Sequence, residues 1–415
     1  MEFDELSQSG IRRIANYSPY LDQLAGLANE MGLRQRSNLV HLERCLHEEW
    51  SLGQNSILSW TPLDEGLLIL VVPHYAIAEY TAAPADQADD PQRVSARFVT
   101  ELISGDRQLT LSQMQKVARL LDVEPRFVHL RQPLSNNPVE TQIIEKMIRR
   151  YGINFVASRA VTLFDIVGFS LLTPFEQMTQ LNSLSYSLNS AHAKMLEQDV
   201  GINFARSSSG DGFYVWNRDH GLEANVNLYH FMHIVLADNA IARSKSASKA
   251  VPRLRACFHV GSCYEFHQAE GLNPTIHDFI VGDVTIELAR MIDAALPGQI
   301  LVGDFMAEVP DGSAIDDKMS QMQLDAVTFL ERAQGNLSKL SGLELSGERV
   351  SAIKCYLTGE RLESGEFSIR RLQIKDKHGL SRTAYNAKVN IYRDTAQPIL
   401  LGIEDRKLVS NLQPA

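Results

Sequence analysis

Two aspartates carry the chemistry that the rest of this chain must position. Asp165 lies inside the apolar run Ala160-Val-Thr-Leu-Phe-Asp-Ile-Val-Gly-Phe-Ser170. That run predicts a buried strand, where a carboxylate is costly unless something positive meets it. Gly168 follows, and a glycine lets backbone approach a ligand closely. A strand, an Asp, a glycine turn and then a helix make a seat for a metal-bound phosphate. Asp211 lies between Gly210 and Gly212 in Ser207-Ser-Ser-Gly-Asp-Gly-Phe-Tyr214, which reads as a hairpin tip. Two carboxylates on adjacent strands can hold a pair of divalent cations, which clamp the attacking and leaving oxygens of a phosphorus displacement. Taken singly, Asp165 also fits a cap or turn residue, and the glycine-flanked Asp211 fits an ordinary hairpin.

The elements around them follow from periodicity. Residues 1 to 60 show helical spacing, with Leu21, Leu24, Leu27 and Met31, then Leu39, Leu42, Cys45 and Leu46. Trp60 to Tyr80 has β character, and residues 82 to 92 have linker composition. Val94 to Leu102 and Leu111 to Leu121 predict helices, broken by Ser104-Gly105-Asp106, with Thr110 and Gln113 as a capping box. Glu140 to Arg150 predicts a helix with Ile143, Ile144, Met147 and Ile148 on one face. Thr173 or Pro174 begins a helix running to Met195, followed by strands at Asn203 to Ser208 and Gly212 to Trp216. A helix over Asn225 to Arg243, a strand over Arg253 to Tyr264, an apolar segment at Phe279 to Val281, a helix over Gly282 to Ile292 and a strand over Gln299 to Val302 complete an α+β layer. Residues 306 to 350 read as polar and helical, and Lys354 to Leu401 as strands with turns at Ser364-Gly365 and Asp376 to Gly379.

Length and composition bound the reading. The chain has 415 residues, so several domains are expected: 1–92 as an N-terminal α/β regulatory region, 93–135 as a small helical module, 136–154 as a connecting helix, 155–305 as the core, and 306–405 as a helical insert and β extension. Net charge is 40 − 50 = −10, which argues against broad nucleic-acid binding by the whole chain. The four cysteines, Cys45, Cys257, Cys263 and Cys355, show no metal or disulfide spacing and fit a reducing cytosol. The N-terminus has no signal-peptide pattern, and the apolar run near Gly66 to Ala78 is too short to span a bilayer, so a cytoplasmic protein is expected. The stretches Leu102 to Leu111 and Val117 to Phe127 resemble the second half of Cro-type helix-turn-helix modules over about forty residues. The helix Leu111 to Leu121 offers only Lys116 and Arg119 as basic contacts, so DNA is an unlikely partner and a dimerising or sensing module fits equally.

Five stretches in order resemble the class III nucleotidyl cyclases. Phe164 to Ser170 is similar to that family's first metal motif, and Gly210-Asp211-Gly212 to its second, 211 − 165 = 46 residues on. Arg255 to Gly261 resembles the central strand. Gly282 through Arg290 resembles the helix whose arginine, 290 − 282 = 8 residues past the glycine, stabilises the transition state; Leu296 to Val302 resembles the closing strand. The resemblance implies a cyclase-like mixed sheet with helices packed on it, preceded by a mostly helical N-terminal region. It implies that Asp165, Asp211 and the Ile166 carbonyl hold two Mg²⁺ or Mn²⁺, and that Phe164, Gly168, Phe169 and Arg290 contact a nucleoside triphosphate. It also implies a head-to-tail homodimer with active sites at the interface. A surface ion pair on the helix is the other reading of Arg290.

The departures from that family bear on the base. Its purine selectors fall at Ser207 and Phe279, with Asp278 one position off, and its ribose-binding Asn falls at Ile286. These residues form the candidate base pocket and match neither the adenine nor the guanine pair. The context of Arg159 to Ser170 and the tail from Asp376 through Tyr392 resemble the bacterial anti-phage pyrimidine cyclases of Pycsar systems. That branch implies cyclic UMP or cyclic CMP as product and a downstream effector protein that senses it. UTP is expected first and CTP second. An adenylyl cyclase with atypical selectors and a non-catalytic cyclase-like regulator are the alternatives.

Overall fold

The computed structural model describes residues 31–81, 96–135, 137–269, 276–310, 321–337, 340, 342–359, 363, 368–375 and 379–403. The expected helical stretch before Met31, the linker at 82 to 92 and the turns at Ser364-Gly365 and at Asp376-Lys377-His378 lie outside the described residues. The chain forms two units, residues 1–155 with 264–279, and residues 156–263 with 280–415. No helix among the described residues is long and apolar enough to cross a membrane.

The first unit is built on a three-stranded sheet, β1 (Asn55–Leu63), β2 (Gly66–Pro73) and β3 (Arg126–His129), in that order. Ile57, Leu67, Ile69 and Val71 face helices α1 (Leu33–Trp50) and α5 (Pro138–Arg150). Leu58, Leu70 and Val72 face α2 (Ala76–Thr81), α3 (Ala96–Ser104) and α4 (Leu111–Leu120). Burial on both faces explains why β2 is an unbroken apolar run instead of an alternating one. The Thr110–Gln113 capping box forms, and Asn137 caps α5 ahead of Pro138. The helical pattern expected to Trp60 instead ends at α1: β1 takes residues from Asn55 because they pair with β2, and that pairing overrides local periodicity.

The second unit is α+β, a mixed sheet with helices packed on it. The large sheet runs β12-β13-β15-β9-β7-β4-β6-β5. At its centre lie β4 (Asn154–Ile166), β7 (Leu254–Ala269), β6 (Gly212–Asn217) and β5 (Phe204–Ser208), with β8 (Ile276–Val281) paired to β7. One face is covered by α6 (Pro174–Glu197) and α7 (Leu222–Lys245), the other by α8 (Asp283–Ala294). Thr173 caps α6, with Pro174 in the first position and Glu176 closing the box. After β9 (Ile300–Gly303) the chain differs from the polar helical stretch expected over 306 to 350. β10 (Met306–Pro310) pairs with β11 (Gln321–Asp325), α9 (Ala326–Leu337) follows, and β12 (Leu343–Leu345) turns into β13 (Glu348–Leu357). Pairing of each segment with its neighbour decided these strands, and polar composition alone does not reveal it. β14 (Arg371–Lys375), β15 (Ser381–Arg393) and β16 (Ile399–Leu401) then extend the sheet, with β15 antiparallel to β9.

Helix α7 is buried nearly all round, so its polar side chains need partners inside the protein. Asp238 accepts from Ser187, Ser190 and Ser346, and Asn225 clamps Ser158 and Ala160 on β4. His233 bonds the Tyr229 carbonyl through Nδ1 at 2.7 Å, and burial lowers its pKa from 6.5 to about 4. A histidine held neutral by folding takes its proton first in the unfolded chain. Its contribution is therefore intact above pH 6.5 and is lost as pH falls toward 4. His233→Leu should flatten that acid loss, by on the order of 3 kcal/mol across the interval. Thermal unfolding at a series of pH values checks it.

Candidate active site

The two aspartates meet because of strand pairing. β4 pairs antiparallel with β6, setting Phe164 opposite Phe213 and Asp165 opposite Gly212. The Ile166 amide then donates to the Asp211 carbonyl at 3.0 Å. Gly210 sits at φ +99°, in the left-handed region that favours glycine, and the turn closes with Ser209 N donating to the Gly212 carbonyl at 3.1 Å. Gly212 is required for a different reason. A Cβ there would lie 1.8 Å from the Phe164 carbonyl oxygen, so nothing larger lets the hairpin lie against β4.

Asp165 is 4% exposed. Burial raises its pKa to about 6; Arg255 opposes the rise, and the neighbouring Asp211 adds to it. Arg255, on β7, donates from Nε to Asp165 Oδ2 at 2.5 Å and from a terminal nitrogen to the Ala295 carbonyl at 2.9 Å. Beyond Ile166, Val167 N donates to the Arg253 carbonyl. Gly168 then turns at φ +72° into a short 3₁₀ turn, Phe169 to Leu171, which opens on the Gly168 and Phe169 amides. Two carboxylates and the Ile166 carbonyl are hard oxygen donors, the kind that Mg²⁺ and Mn²⁺ take. The Asp165 and Asp211 carboxylates interact with one another, and two acidic groups brought together fit a divalent cation.

Arg290 projects from α8 into a cavity of about 330 Å³, lined by Ser207, Ser208, Tyr214, Ile280, Thr285, Ile286 and Ala289 besides itself. It also lies 3.9 Å from Asp293, so the ion pair on its own helix is present too. Gly282 starts the helix at φ +148°, where a Cβ would meet Cys263 Cα at 2.7 Å, so the helix begins close against β7. Ser262 Oγ donates to Asp283 at 2.8 Å, and Arg382 from β15 pairs with Glu287.

The cavity thus brings together Ser207, Ile286 and Arg290. Asp278 and Phe279 are not among its lining residues. Both belong to the first unit, where Asp278 pairs with His267 Nδ1 at 2.7 Å and Phe279 stacks on Phe266, centroids 5.6 Å apart. Ser208, Tyr214 and Thr285 were not singled out from sequence. Tyr214 was findable, because a two-residue hairpin register sets it directly across from Ser207.

No family model matches the chain, and no curated protein does. Among solved structures it is similar to the guanylate cyclase domain of RhGC from Catenaria anguillulae in complex with GTP, at 11% identity over 56% of this chain and 97% of that one, with a TM-score of 0.33. It is also similar to the guanylyl cyclase Cya2, at 14% identity over 63% and 98%, TM-score 0.32. A third is the adenylyl cyclase CyaB from P. aeruginosa, at 14% identity over 42% and 95%, TM-score 0.27.

The close approach at Gly212 yields a stability test. Gly212→Ala should destabilise the protein by about 3 kcal/mol or more, because the added methyl has only backbone to displace. Chemical denaturation of wild type and variant measures the difference.

Proposed function

We propose that this chain is a nucleotidyl cyclase that converts a pyrimidine nucleoside triphosphate, UTP first and CTP second, to its 3′,5′-cyclic monophosphate and pyrophosphate. The observation that carries the reading is the pairing of β4 with β6, which sets the buried Asp165 beside Asp211 next to a left-handed glycine turn. In the reaction the ribose 3′-oxygen bonds to the α-phosphorus, the bond to the pyrophosphate oxygen breaks, and the hydroxyl proton leaves to solvent. Two divalent cations, Mn²⁺ or Mg²⁺, would be held by Asp165, Asp211 and the Ile166 carbonyl, and supply Lewis-acid activation of the hydroxyl and neutralise charge on the phosphates. The Phe164 side chain, expected to contact the nucleotide, is fully buried in the core and serves packing instead, while the Gly168 and Phe169 amides bind the outer phosphates. Arg290 directs its planar fork at the charge that builds on the phosphate oxygens.

The base pocket is the cavity beside Arg290. Its described lining carries hydroxyls from Ser207, Ser208, Tyr214 and Thr285, and Arg290 is its sole charged side chain. Purine selection by a Lys/Asp or Glu/Cys pair has no counterpart there. Small hydroxyl donors and acceptors and the apolar Ile286 suit a single-ring base. Neither Asp165 nor Asp211 is among the lining residues, which supports a head-to-tail homodimer that joins one subunit's carboxylates to the other's arginine. In this reading residues 155–305 with the 306–405 extension form the catalytic part, and 1–92, 93–135 and 136–154 regulate it. The product serves as a second messenger in anti-phage defence, read by an effector protein in the cytoplasm.

Purified protein incubated with Mn²⁺ and each of the four nucleoside triphosphates in turn should yield cyclic UMP or cyclic CMP. Asp165→Ala and Asp211→Ala should each lower the rate by at least about a thousandfold. Mass-spectrometric identification of the product decides the base. Cyclic AMP or cyclic GMP as the main product would replace the pyrimidine reading with a purine cyclase. No product from any of the four would favour a non-catalytic regulator.

A further inference from the structure

Arg255 stands where a cation is wanted. Its Nε lies 2.5 Å from Asp165 Oδ2, with the Asp165 side chain 5% exposed and that of Arg255 26% exposed. A terminal nitrogen of the same guanidinium is held by the Ala295 carbonyl, just past the last turn of α8. The carboxylate it touches is one of the two proposed to hold divalent cations. Asp211, the other, accepts a long 3.4 Å contact from Ser209 Oγ. The two carboxylates are therefore unequal: one has its charge balanced by a neighbouring strand, the other faces it from a hairpin tip.

A guanidinium and a divalent cation cannot both sit against one buried carboxylate without strong repulsion, because the buried setting screens charge poorly. Without any cation, however, a carboxylate this buried is costly to keep ionised. Both requirements are met if the two positive charges alternate. We propose that Arg255 is a placeholder counter-ion. It neutralises Asp165 in the metal-free protein and gives up that contact as divalent cations load, with Ala295 keeping the side chain tethered nearby. Arg255 is thus a positioning residue that sets how readily the metal seat fills. The inference rests on the two-metal reading of Asp165 and Asp211.

Full-length wild type, Arg255→Gln, Arg255→Lys and Asp165→Asn are titrated with Mn²⁺ in the absence of nucleotide. Free Mn²⁺ is read from its electron paramagnetic resonance amplitude, and thermal unfolding is followed with and without the metal. Arg255→Gln should bind Mn²⁺ at least tenfold more tightly than wild type. It should melt at a lower temperature without metal and gain more from adding it. Arg255→Lys keeps the charge and loses the tether, and should bind within threefold of wild type. Equal or weaker binding by a folded Arg255→Gln overturns the placeholder and leaves the two-metal reading standing. Weaker binding by both Arg255 variants likewise overturns it, because the side chain would then be supporting the seat. A wild type that binds no Mn²⁺ sensitive to Asp165→Asn overturns the two-metal reading and this inference together.

Discussion

The second unit is arranged around one unfavourable burial. A carboxylate at the end of an apolar strand has lost its water, and the rise in the Asp165 pKa to about 6 measures that loss. Folding tolerates it because β7 supplies Arg255 as the counter-charge, while the β5–β6 hairpin supplies the main-chain partner of Ile166 and Gly168 turns the chain away before α6 begins. Without Arg255 the carboxylate is uncompensated, and the neighbouring Asp211 raises that cost further. A merely structural strand end would have no use for such an arrangement, since an asparagine or a valine there would fold at lower cost. In the proposed reading, this costly carboxylate is the link between the fold and phosphate chemistry.

The arginine side of the site is built differently, by bracing a helix. Helix α8 starts close against β7: a Cβ at Gly282 would clash with Cys263 Cα at 2.7 Å, and one at Gly261 would stand 3.4 Å from Val284 Cβ. Its outward position is fixed by the segment after β9. Leu372 and Ile374 of β14 share a core with Leu288 and Met291, and Arg382 of β15 pairs with Glu287, one residue past Ile286. The C-terminal strands therefore help to hold α8 in place. They extend the sheet from β9 and set the side chains of α8 that line the cavity beside Arg290.

Local signals were legible in the sequence wherever the physics is local. Thr173-Pro174 with Glu176, Thr110 with Gln113 and Asn137 before Pro138 all cap helices as their side chains dictate. The Asp165 and Asp211 stretches were readable because a glycine-flanked carboxylate and a lone acid in a β-branched run are local oddities. What was not readable is long-range pairing. The β10–β11 ribbon joins residues 306–310 to 321–325, and nothing in either polar segment announces the other. The cavity beside Arg290 shows the same limit. Asp278 and Phe279 lie within four residues of Gly282, yet β8 directs them to His267 and Phe266, while Tyr214 and Thr285 reach the cavity through hairpin register and helix phase.

Arg107 is to the first unit what Arg255 is to the second, with the opposite solution. Its guanidinium is fully buried, and burial lowers its pKa to about 9. Its compensation comes from oxygen dipoles: the carbonyls of Leu102 and Ile103 at the C-terminal turn of α3, those of Leu58 and Ile153, and the Asn154 side chain, all within 3.2 Å. Carbonyls at a helix C-terminus carry partial negative charge, so the break at Ser104-Gly105-Asp106 does more than end a helix. It folds the chain back so that Arg107 can gather five acceptors from three segments. One of those acceptors belongs to Asn154, the first residue of β4, and 165 − 154 = 11 residues along the same strand is the buried aspartate. The Glu145 carboxylate adds to these dipoles, and a buried cation so enclosed tolerates little displacement, since each acceptor lost removes part of its compensation. Arg107 therefore pins Asn154, and with it the start of β4, within the first unit.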